Sequence, residues 1–534
     1  MKRKAPQDET RTLDGIRQAR RYQWIFFGAL ALALMLAALV RFHRLGDEDY
    51  WLDELHSLAN SAGRRAEFES VPHGVIFSSY ARSTDLAPTS TIGAAWRGMT
   101  ADTHPPLYFV LLWGWRQLVG DGEFAIRSLS VIFSVLSILP FALIFLELGR
   151  PWCGVIGAFT LALSFSHVHM AQEARPYALS VLTLSLSFWT LVRLERRWDR
   201  IDVRGRAIGG AAYAIATYCT IMTHYFAGLA LLGQIVIVLM SDSKRFRLAW
   251  LFFASCAMFA FVVSWGPQFY RQLDVIHGQD WLLEQRTHPP LRTLHRVAIL
   301  PVRLLFTHEP FQMNIPLAVV GALILLGALV AVRRFRVRES GVFLAWFIVP
   351  YVGFAVMELW TQKRLLSHIR YPSFAAPGLV GLLVMATMPL RRSIRTGTVA
   401  GLLAVMALSL RLPTQDNPMN NQAANLLSDQ LHDGDLLVFD AMGWPRFWTA
   451  LIYHNIAFYL PRHLRTPMPP LLLLRDPPDD ALKEAMSSYG RIVVVAPRVE
   501  AVPNPDPDRF RLVARTDYIH LVGFIHLFER NGAP

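Results

Sequence analysis

The chain is poor in charged residues and in cysteine. Only 17% of its 534 residues are charged, whereas about a quarter are charged in an ordinary soluble domain. Its three cysteines, Cys153, Cys219 and Cys256, lie in or beside apolar segments and form no Cys-x-x-Cys pair, so neither a disulfide framework nor a metal site of that type is indicated. No GxGxxG, Walker, zincin or nucleophile-elbow motif occurs, which argues against a soluble nucleotide cofactor.

The hydrophobic residues, 53% of the chain, occur in long continuous blocks. Blocks of about 20 apolar residues are typical of transmembrane α-helices, whereas a transmembrane β-barrel would show alternation with a period of two. The sequence therefore predicts a polytopic α-helical membrane protein with about 11–13 transmembrane helices. The blocks lie near residues 24–41, 125–147, 152–168, 177–193, 207–223, 226–240, 249–266, 315–332, 341–360, 373–389 and 396–411.

The basic residues, which give a formal net charge of +13, cluster in the connectors between these blocks. Because they form no single basic face, they indicate cytoplasmic loops under the positive-inside rule and no nucleic-acid partner. The basic segment 1–23 is predicted to be a cytoplasmic N-terminal segment, followed by an uncleaved first helix. Counting crossings then predicts a long first extracytoplasmic loop, 42–123, with an interfacial helix near 105–119, and an extracytoplasmic C-terminal tail.

The same count places the polar exceptions to the apolar pattern on the extracytoplasmic side. The first exception is the acidic pair Asp53 and Glu54, which closely follows the first hydrophobic block. Carboxylates near hydrocarbon are costly and therefore usually have a partner or a function. The alternative is a solvated acidic turn that leaves the membrane. His104, ahead of two prolines, either points toward the acidic pair or simply begins a helix with proline in its first turn.

Three further outer motifs combine cationic and aromatic side chains. They contain Glu173, Arg175 and Tyr177, then His224 and Tyr225, and then Lys363, Arg364, Arg370 and Tyr371. Arg175 either binds a phosphate through two N–H groups or neutralises Glu173. The late cations violate the positive-inside rule, so they either bind an anionic substrate or extend to lipid headgroups. The segment 267–314 is long for a connector and is predicted to be an extracytoplasmic lid loop.

The tail, 412–534, is polar and rich in proline, with short apolar runs of β-branched and aromatic residues. This composition predicts a small extracytoplasmic α/β domain. Strands are predicted at 436–439, 492–495, 510–514 and 520–528, and helices at 421–431 and 446–459.

Taken in order, these outer motifs resemble those of the C-type (GT-C) membrane glycosyltransferases. The motifs are the Asp-Glu pair of the first loop, His-Pro-Pro-Leu-Tyr at 104–108, Glu-Ala-Arg-Pro-Tyr at 173–177 and Arg-Tyr-Pro at 370–372. The resemblance is strongest to the bacterial protein O-mannosyltransferase and lipid A aminoarabinose transferase group. It covers residues 24–411, the predicted transmembrane glycosyltransferase domain, and the tail resembles the outer α/β domains of that group more loosely.

The resemblance implies an enzyme of the bacterial inner (plasma) membrane. Such an enzyme moves one hexosyl or pentosyl unit from a polyprenyl-phosphate sugar donor to a lipid, glycan or protein acceptor, in contact with membrane lipids. The catalytic acid of the family falls on Asp53, with Glu54 beside it, and Asp53 is expected to be a general base. The outer residues from His104 to Tyr371 named above are expected to bind substrate or the donor phosphate.

The resemblance is incomplete at two positions. His104 stands where the aminoarabinose transferases have a lysine, and Glu173 is offset from the second acid of the relatives, so the donor sugar is not assigned. No cofactor is assigned either, although a divalent metal shared by Asp53, Glu54 and phosphate remains an alternative. The competing function is a transporter or flippase of a lipid-linked substrate, which predicts ionisable residues in the middle of the spans. The blocks are apolar through their middles, which favours the enzyme.

Overall fold

The computed structural model describes residues 7–78, 82–277, 289–307, 314–335, 337–410, 419–440, 446–465, 467–496, 506–515 and 524–531. Its α-helices are α1 (Gln7–Phe42), α2 (Leu52–Ala62), α3 (Arg65–Glu69), α4 (Ile92–Gly98), α5 (Leu107–Val119), α6 (Glu123–Glu147), α7 (Pro151–Ala162), α8 (Phe165–His169), α9 (Tyr177–Arg197), α10 (Val203–Ile221), α11 (Ala227–Leu239), α12 (Lys244–His277), α13 (Pro289–Leu305), α14 (Ile315–Arg334), α15 (Gly341–Thr361), α16 (Ala376–Thr387), α17 (Arg392–Ser409), α18 (Met419–Ser428), α19 (Arg446–Tyr459) and α20 (Asp480–Met486). The strands are β1 (Leu436–Asp440), β2 (Leu471–Leu474), β3 (Arg491–Ala496), β4 (Phe510–Arg515) and β5 (Phe524–Arg530).

The chain divides into two compact units, each built from several stretches of sequence. The membrane unit comprises Met1–His43, Thr103–Leu111 and Ile126–Leu412. The loop–tail unit comprises Arg44–Asp102, Leu112–Ala125 and Pro413–Pro534. The first loop, 42–123, was predicted to belong to the transmembrane domain, with the tail as a separate domain. In the structure, most of that loop belongs to the same compact unit as the tail.

A helix occupies each hydrophobic block that was predicted to span the membrane. Within the described ranges, six helices are long and apolar enough to cross a bilayer. They are Gln23–Phe42, Glu123–Glu147, Tyr177–Arg197, Lys244–Ile276, Ile315–Arg334 and Gly341–Thr361. Shorter apolar helical segments lie at Pro151–Ala162, Ala227–Leu239 and Pro372–Thr387. The protein is therefore an integral membrane protein of the helical type.

Aromatic stacking and close helix contacts hold the core of the membrane unit together. Trp346 of α15 stacks on Phe188 of α9, with ring centroids 4.1 Å apart and planes inclined by 10°. Helices α11 and α15 approach closely at Gly233, where an added Cβ would lie 2.7 Å from the carbonyl oxygen of Ala345. Because apolar burial gives little preference for protein over lipid, such packing is what fixes neighbouring helices in a membrane.

Helix α7 ends earlier than its hydrophobic block. A span was predicted at 152–168, but α7 stops at Ala162 and the short helix α8 begins at Phe165. Arg41 of α1 donates hydrogen bonds to the carbonyl oxygens of Leu161 and Ala162, at 3.3 Å and 2.9 Å. The last carbonyls of a helix lack partners within the helix, so this arginine stabilises the end of α7.

The segment 267–314, predicted to be a lid loop, is helical over much of its length. Helix α12 continues past Pro267 to His277, and α13 occupies Pro289–Leu305. The aromatic and cationic part of the predicted lid, at 278–288, and the segment 308–313 lie outside the described residues. The role of this segment as a lid stays a prediction.

The tail forms a mixed sheet, which confirms the predicted α/β domain. In the described part of the chain the strand order is β2-β1-β3-β5-β4, with β2, β1 and β3 parallel and β5 antiparallel to both of its neighbours. Strands β1, β3 and β4 and helices α18 and α19 lie where they were predicted. Strand β5 begins at Phe524, and 516–523 lies outside the described residues. Strand β2 and helix α20 were not predicted.

The first loop is structured in its own right and extends this sheet. Helices α2, α3 and α4 lie within it, and none of them was predicted. Phe77 pairs with Leu471 in an antiparallel bridge, with N···O distances of 3.0 Å and 2.9 Å. The amide of Gly74 also donates to the carbonyl of Leu473 at 2.9 Å. A piece of the first loop therefore covers the free edge of β2 within the loop–tail unit.

Candidate functional site

The predicted catalytic acids lie in the first turn of α2, in the loop–tail unit. Carboxylates are favoured there because the N-terminus of a helix carries a partial positive charge. Glu54 is fully buried, and its Oε2 accepts a hydrogen bond from the backbone N–H of Trp51 at 3.4 Å. The side chain of Asp53 stays 18% exposed. Of the two acids, Glu54 therefore helps to fix the start of the helix, whereas the carboxylate of Asp53 stays partly accessible.

A line of alternating acidic and basic groups begins at Asp53. His56, one helical turn later, has Nδ1 3.9 Å from Asp53 Oδ1 and Nε2 3.8 Å from Glu69 Oε1. Arg65 binds Glu69 at 2.7 Å and approaches Asp102 to 3.5 Å. The sequence analysis missed these residues, although the spacing of His56 from Asp53 already puts both on one face of a helix.

The structure adds no third ligand for a metal at the acidic pair. Within the described ranges, no group of three or more His, Cys, Asp or Glu side chains is arranged to hold a metal ion. Glu173 belongs to a different group, because its Oε1 lies 3.4 Å from His169 Nε2.

In the membrane unit, the structure brings together predicted residues from distant parts of the chain. Arg175 Nη2 lies 3.3 Å from His104 Nε2, and its guanidinium lies over the ring of Tyr177 with 5.9 Å to the centroid. The ring of His224 lies 5.2 Å from that of His104 and 5.5 Å from that of Tyr177. His104 precedes α5, Arg175 precedes α9, Tyr177 is the first residue of α9, and His224 lies between α10 and α11. They form what we call the cationic cluster.

Electrostatics make His224 the neutral member of this cluster. Burial lowers the pKa of His224 well below its usual value, and its neighbours His104, Arg175 and Arg370 lower it further. The Nδ1 of His224 accepts a hydrogen bond from the amide of Phe226 at 3.2 Å, so the proton sits on Nε2. Among the described residues, that Nε2 has no hydrogen-bond partner, and its N–H is available to a substrate.

Helix α12 supports the cluster through two residues that the sequence analysis missed. Gln272, which is fully buried, donates from Nε2 to the carbonyl of His104 at 3.0 Å. Its Oε1 accepts the hydroxyl of Tyr225, and that hydroxyl accepts from Trp265 Nε1 at 2.8 Å. An amide and an indole N–H within a long apolar helix are the sequence signal that could have identified them. Tyr225 therefore helps to hold Gln272, which in turn binds the backbone of His104.

The late cations take different positions. The guanidinium of Arg370 lies over the ring of Tyr371, 5.4 Å from its centroid, and Tyr371 packs against Phe226 with centroids 5.2 Å apart. Lys363 donates from Nζ to the carbonyl of Ile276 at 3.1 Å, which ties it to the end of α12. Arg364 precedes a short 3₁₀ helix, Leu365–Ser367. Arg370 is thus the late cation whose charge reaches His224.

Comparison with known proteins supports the resemblance inferred from the motifs. The family model described as dolichyl-phosphate-mannose-protein mannosyltransferase matches residues 103–265, a range that holds four of the predicted site residues of the cluster. They are His104, Arg175, Tyr177 and His224. No curated protein sequence matches the chain.

Solved structures extend the likeness to nearly the whole chain. ArnT from Cupriavidus metallidurans in the apo state is 12% identical, with a TM-score of 0.58 over 94% of this chain and 98% of that chain. The same protein bound to undecaprenyl phosphate is 14% identical, with a TM-score of 0.51 and the same coverage. The apo oligosaccharyltransferase of Archaeoglobus fulgidus is 12% identical, with a TM-score of 0.49 over 88% of this chain and 70% of that chain. The predicted fold is confirmed: the chain has the fold of the C-type (GT-C) membrane glycosyltransferases, and its residues 103–265 match the family model of the protein mannosyltransferases.

Proposed function

We propose that the protein is a membrane glycosyltransferase that moves a single sugar from a polyprenyl-phosphate donor to a lipid, glycan or protein acceptor. The observation that carries this proposal is the cationic cluster. It brings Arg175 next to the neutral His224, and the charge of the nearby Arg370 also reaches His224. Two guanidinium groups and an available N–H are suited to a phosphate, because they offer charge and several donors together.

The relatives also support the proposed donor class. ArnT from Cupriavidus metallidurans binds undecaprenyl phosphate, and the matching family model is named for a dolichyl-phosphate sugar. A phosphate attached to a long apolar chain suits a cationic cluster within a membrane-spanning unit. On this proposal the cluster faces the extracytoplasmic side of the bacterial inner membrane, as the charge pattern of the connectors predicts.

In the proposed reaction, Asp53 is the general base. The acceptor hydroxyl or amine attacks the anomeric carbon, its proton passes to the Asp53 carboxylate, and the bond from that carbon to the phosphate oxygen breaks. The electron pair of the broken bond stays on the polyprenyl phosphate. Arg175 and Arg370 stabilise the charge that develops there. The leaving group needs no proton, so the proposal requires no general acid.

The first experiment identifies the donor. Purified protein is heated with each member of a panel of polyprenyl-phosphate sugars, and with undecaprenyl phosphate alone. A ligand that binds the folded state raises the apparent melting temperature. We expect at least one sugar donor to stabilise the protein more than undecaprenyl phosphate does. No stabilisation by any of these lipids would contradict the proposed donor class.

The second experiment tests Asp53 with the donor so identified. Asp53→Asn should keep donor binding while sugar transfer falls by about 10²–10⁴-fold, the usual contribution of a general base. Glu67→Gln is the matched control, because Glu67 is an exposed acid of the same loop, paired with Arg64. The control should keep full activity. Near-normal turnover by Asp53→Asn would remove Asp53 from the role of base.

A further inference from the structure

Helix α13 carries buried polar contacts that the cationic cluster does not use. Arg303, near the end of α13, is only 5% exposed. It donates from Nη1 to the carbonyl of Leu366 and from Nη2 to the carbonyl of Ser367, both at 2.8 Å. These carbonyls belong to the short helix Leu365–Ser367, three residues before Arg370. Arg303 is thus fixed to the segment that carries a proposed phosphate ligand.

Glu358 of α15 holds the same segment through its amide. Glu358 is 3% exposed, and its Oε2 accepts the backbone N–H of Leu366 at 2.7 Å. Its Oε1 accepts from two side chains of α13, Thr293 Oγ1 at 2.9 Å and Arg296 Nη1 at 2.8 Å. The N–H and the C=O of Leu366 are therefore both bound, one through Glu358 and the other through Arg303. Charge-assisted hydrogen bonds of this length are strong in a buried setting.

The residue that follows Arg303 holds a second segment. The carbonyl oxygen of Leu304 accepts hydrogen bonds from Ser164 Oγ at 2.8 Å and from Ser166 Oγ at 2.9 Å. Ser164 lies at the break between α7 and α8 and Ser166 lies in the first turn of α8, in the stretch of chain that leads to Arg175. Two consecutive residues of α13 therefore bind the two segments that carry Arg175 and Arg370.

We infer that the Arg303–Leu304 turn of α13 positions Arg175 and Arg370 relative to each other, so that both reach one phosphate. The inference rests on the proposed function and makes Arg303 a positioning residue, without contact to substrate. Two guanidinium groups bind one phosphate well only when their separation is fixed, and small displacements weaken such sites strongly. Arg303 and Leu304 provide that constraint through four hydrogen bonds of 2.8–2.9 Å.

The test measures discrimination between a phosphate and an alcohol on the same lipid. Undecaprenyl phosphate and undecaprenol are titrated into wild type, Arg303→Met and Arg303→Lys, at a temperature below the melting of each variant. Arg303→Met should weaken binding of the phosphate by about 10-fold and leave binding of the alcohol unchanged. Arg303→Lys, which keeps the charge and can reach one carbonyl, should lie between the two. A purely structural role would weaken both lipids equally.

The control is Arg333→Met, which removes an exposed arginine at the end of α14 and should bind like wild type. If Arg303→Met does not fold, Ser164→Ala with Ser166→Ala removes the bonds to Leu304 and should weaken phosphate binding by about 3-fold to 10-fold. Variants that discriminate the phosphate as well as wild type does would overturn the positioning inference alone. A wild-type protein that prefers undecaprenyl phosphate no more than undecaprenol would instead overturn the proposed donor class, and the inference with it.

Discussion

Arg41 of the membrane unit and Arg116 of the loop–tail unit are both buried, but their hydrogen-bond acceptors differ. In the membrane unit, Arg41 is fully buried and its five N–H groups bind neutral acceptors: Ser134, three backbone carbonyls and His167. In the loop–tail unit, Arg116 is 3% exposed and binds Asp121 through two N–H groups, at 2.6 Å and 2.9 Å. Arg41 thus satisfies carbonyl oxygens at the end of a helix, whereas Arg116 forms an ion pair with a carboxylate.

The difference follows from what each unit offers. Helices that break inside a membrane unit leave carbonyl oxygens without partners, and a guanidinium with five donors can satisfy several of them. His167 takes part as a neutral ring, with Nδ1 accepting from Arg41 at 2.7 Å and Nε2 3.0 Å from Ser137 Oγ. Asp121, two residues after the end of α5, supplies the carboxylate that Arg116 binds. The acceptors of each arginine thus follow from its local surroundings.

The largest stability effect should come from Arg41→Met. The substitution keeps an unbranched side chain but leaves the carbonyl of Ala162 without its donor and removes one of the two donors of the Leu161 carbonyl. Each buried acceptor left unpaired costs about 1–3 kcal/mol, so we expect a loss of about 3 kcal/mol. The apparent melting temperature of the purified protein in detergent measures it. If Arg41 interacted only as a charge, Arg41→Lys would restore full stability, and that result would contradict the role as a helix end.

The matched control for Arg41 is Arg44→Met. Arg44 lies three residues later and pairs with Asp47 at 2.6 Å, with both side chains at least 30% exposed. Exposed pairs contribute about 0–1 kcal/mol, so this variant should melt within a degree or two of wild type. Equal losses of stability in Arg41→Met and Arg44→Met would mean that the burial of Arg41 does not account for its larger contribution.

A smaller loss of stability is expected in the loop–tail unit when the hydroxyl of Tyr459 is removed. Tyr459 Oη accepts the amide of Tyr50 at 2.6 Å and donates to Glu123 Oε1 at 3.1 Å. Burial, followed by the charge of Glu123, raises the pKa of Tyr459, so the phenol keeps the proton that it donates. Tyr459→Phe removes both bonds and should cost about 2 kcal/mol.

The location of that loss matters as much as its size. Because Tyr50 lies two residues before α2, the variant should speed backbone hydrogen exchange in α2, as well as lowering the melting temperature. Tyr489→Phe is the control, since Tyr489 is a half-buried tyrosine packed against the core of the sheet. Exchange that rose only in the tail would show that the first loop and the tail are stabilised separately.

Much of the membrane unit could be predicted because its signal is local. A continuous apolar block predicts a helix from its own residues, and every block predicted as a span contains one. The same holds for α19, predicted at 446–459 and found at Arg446–Tyr459. The break after Ala162 could not be predicted, since Arg41 acts on it from 120 residues away along the chain.

The loop–tail unit was harder to predict because its order comes from distant contacts. Strand β2, Leu471–Leu474, is four leucines that suit a helix as well as a strand, and its pairing with β1 and Phe77 decides the outcome. The line from Asp53 through His56 depends likewise on Glu69, which only the packing of α3 against α2 brings near. Sequence motifs identified the candidate residues, but not the neighbours that orient them.

The smallest predicted loss of stability comes from protonation of a buried histidine in the loop–tail unit at low pH. His454 of α19 stacks on Phe68 of α3, with ring centroids 3.6 Å apart and planes inclined by 11°. Burial, and then the charge of Arg65, lowers the pKa of His454 to about 3. An unfolded histidine has a pKa of about 6.5, so protons bind the unfolded chain first. Stability is therefore complete above about pH 6.5 and is lost progressively as the pH falls toward 3.

Between pH 7.5 and 5.5 this histidine should cost the loop–tail unit about 1.4 kcal/mol, because one pH unit below the unfolded pKa corresponds to that free energy. His454→Gln cannot take up the proton, so its melting temperature should fall less than that of wild type over this interval. His43→Gln, at an exposed position of the membrane unit, should follow wild type. If the melting temperatures of wild type and His454→Gln fell equally with pH, protonation of His454 would not be the cause of the acid sensitivity. Burial of its ring against Phe68 would then not explain that sensitivity.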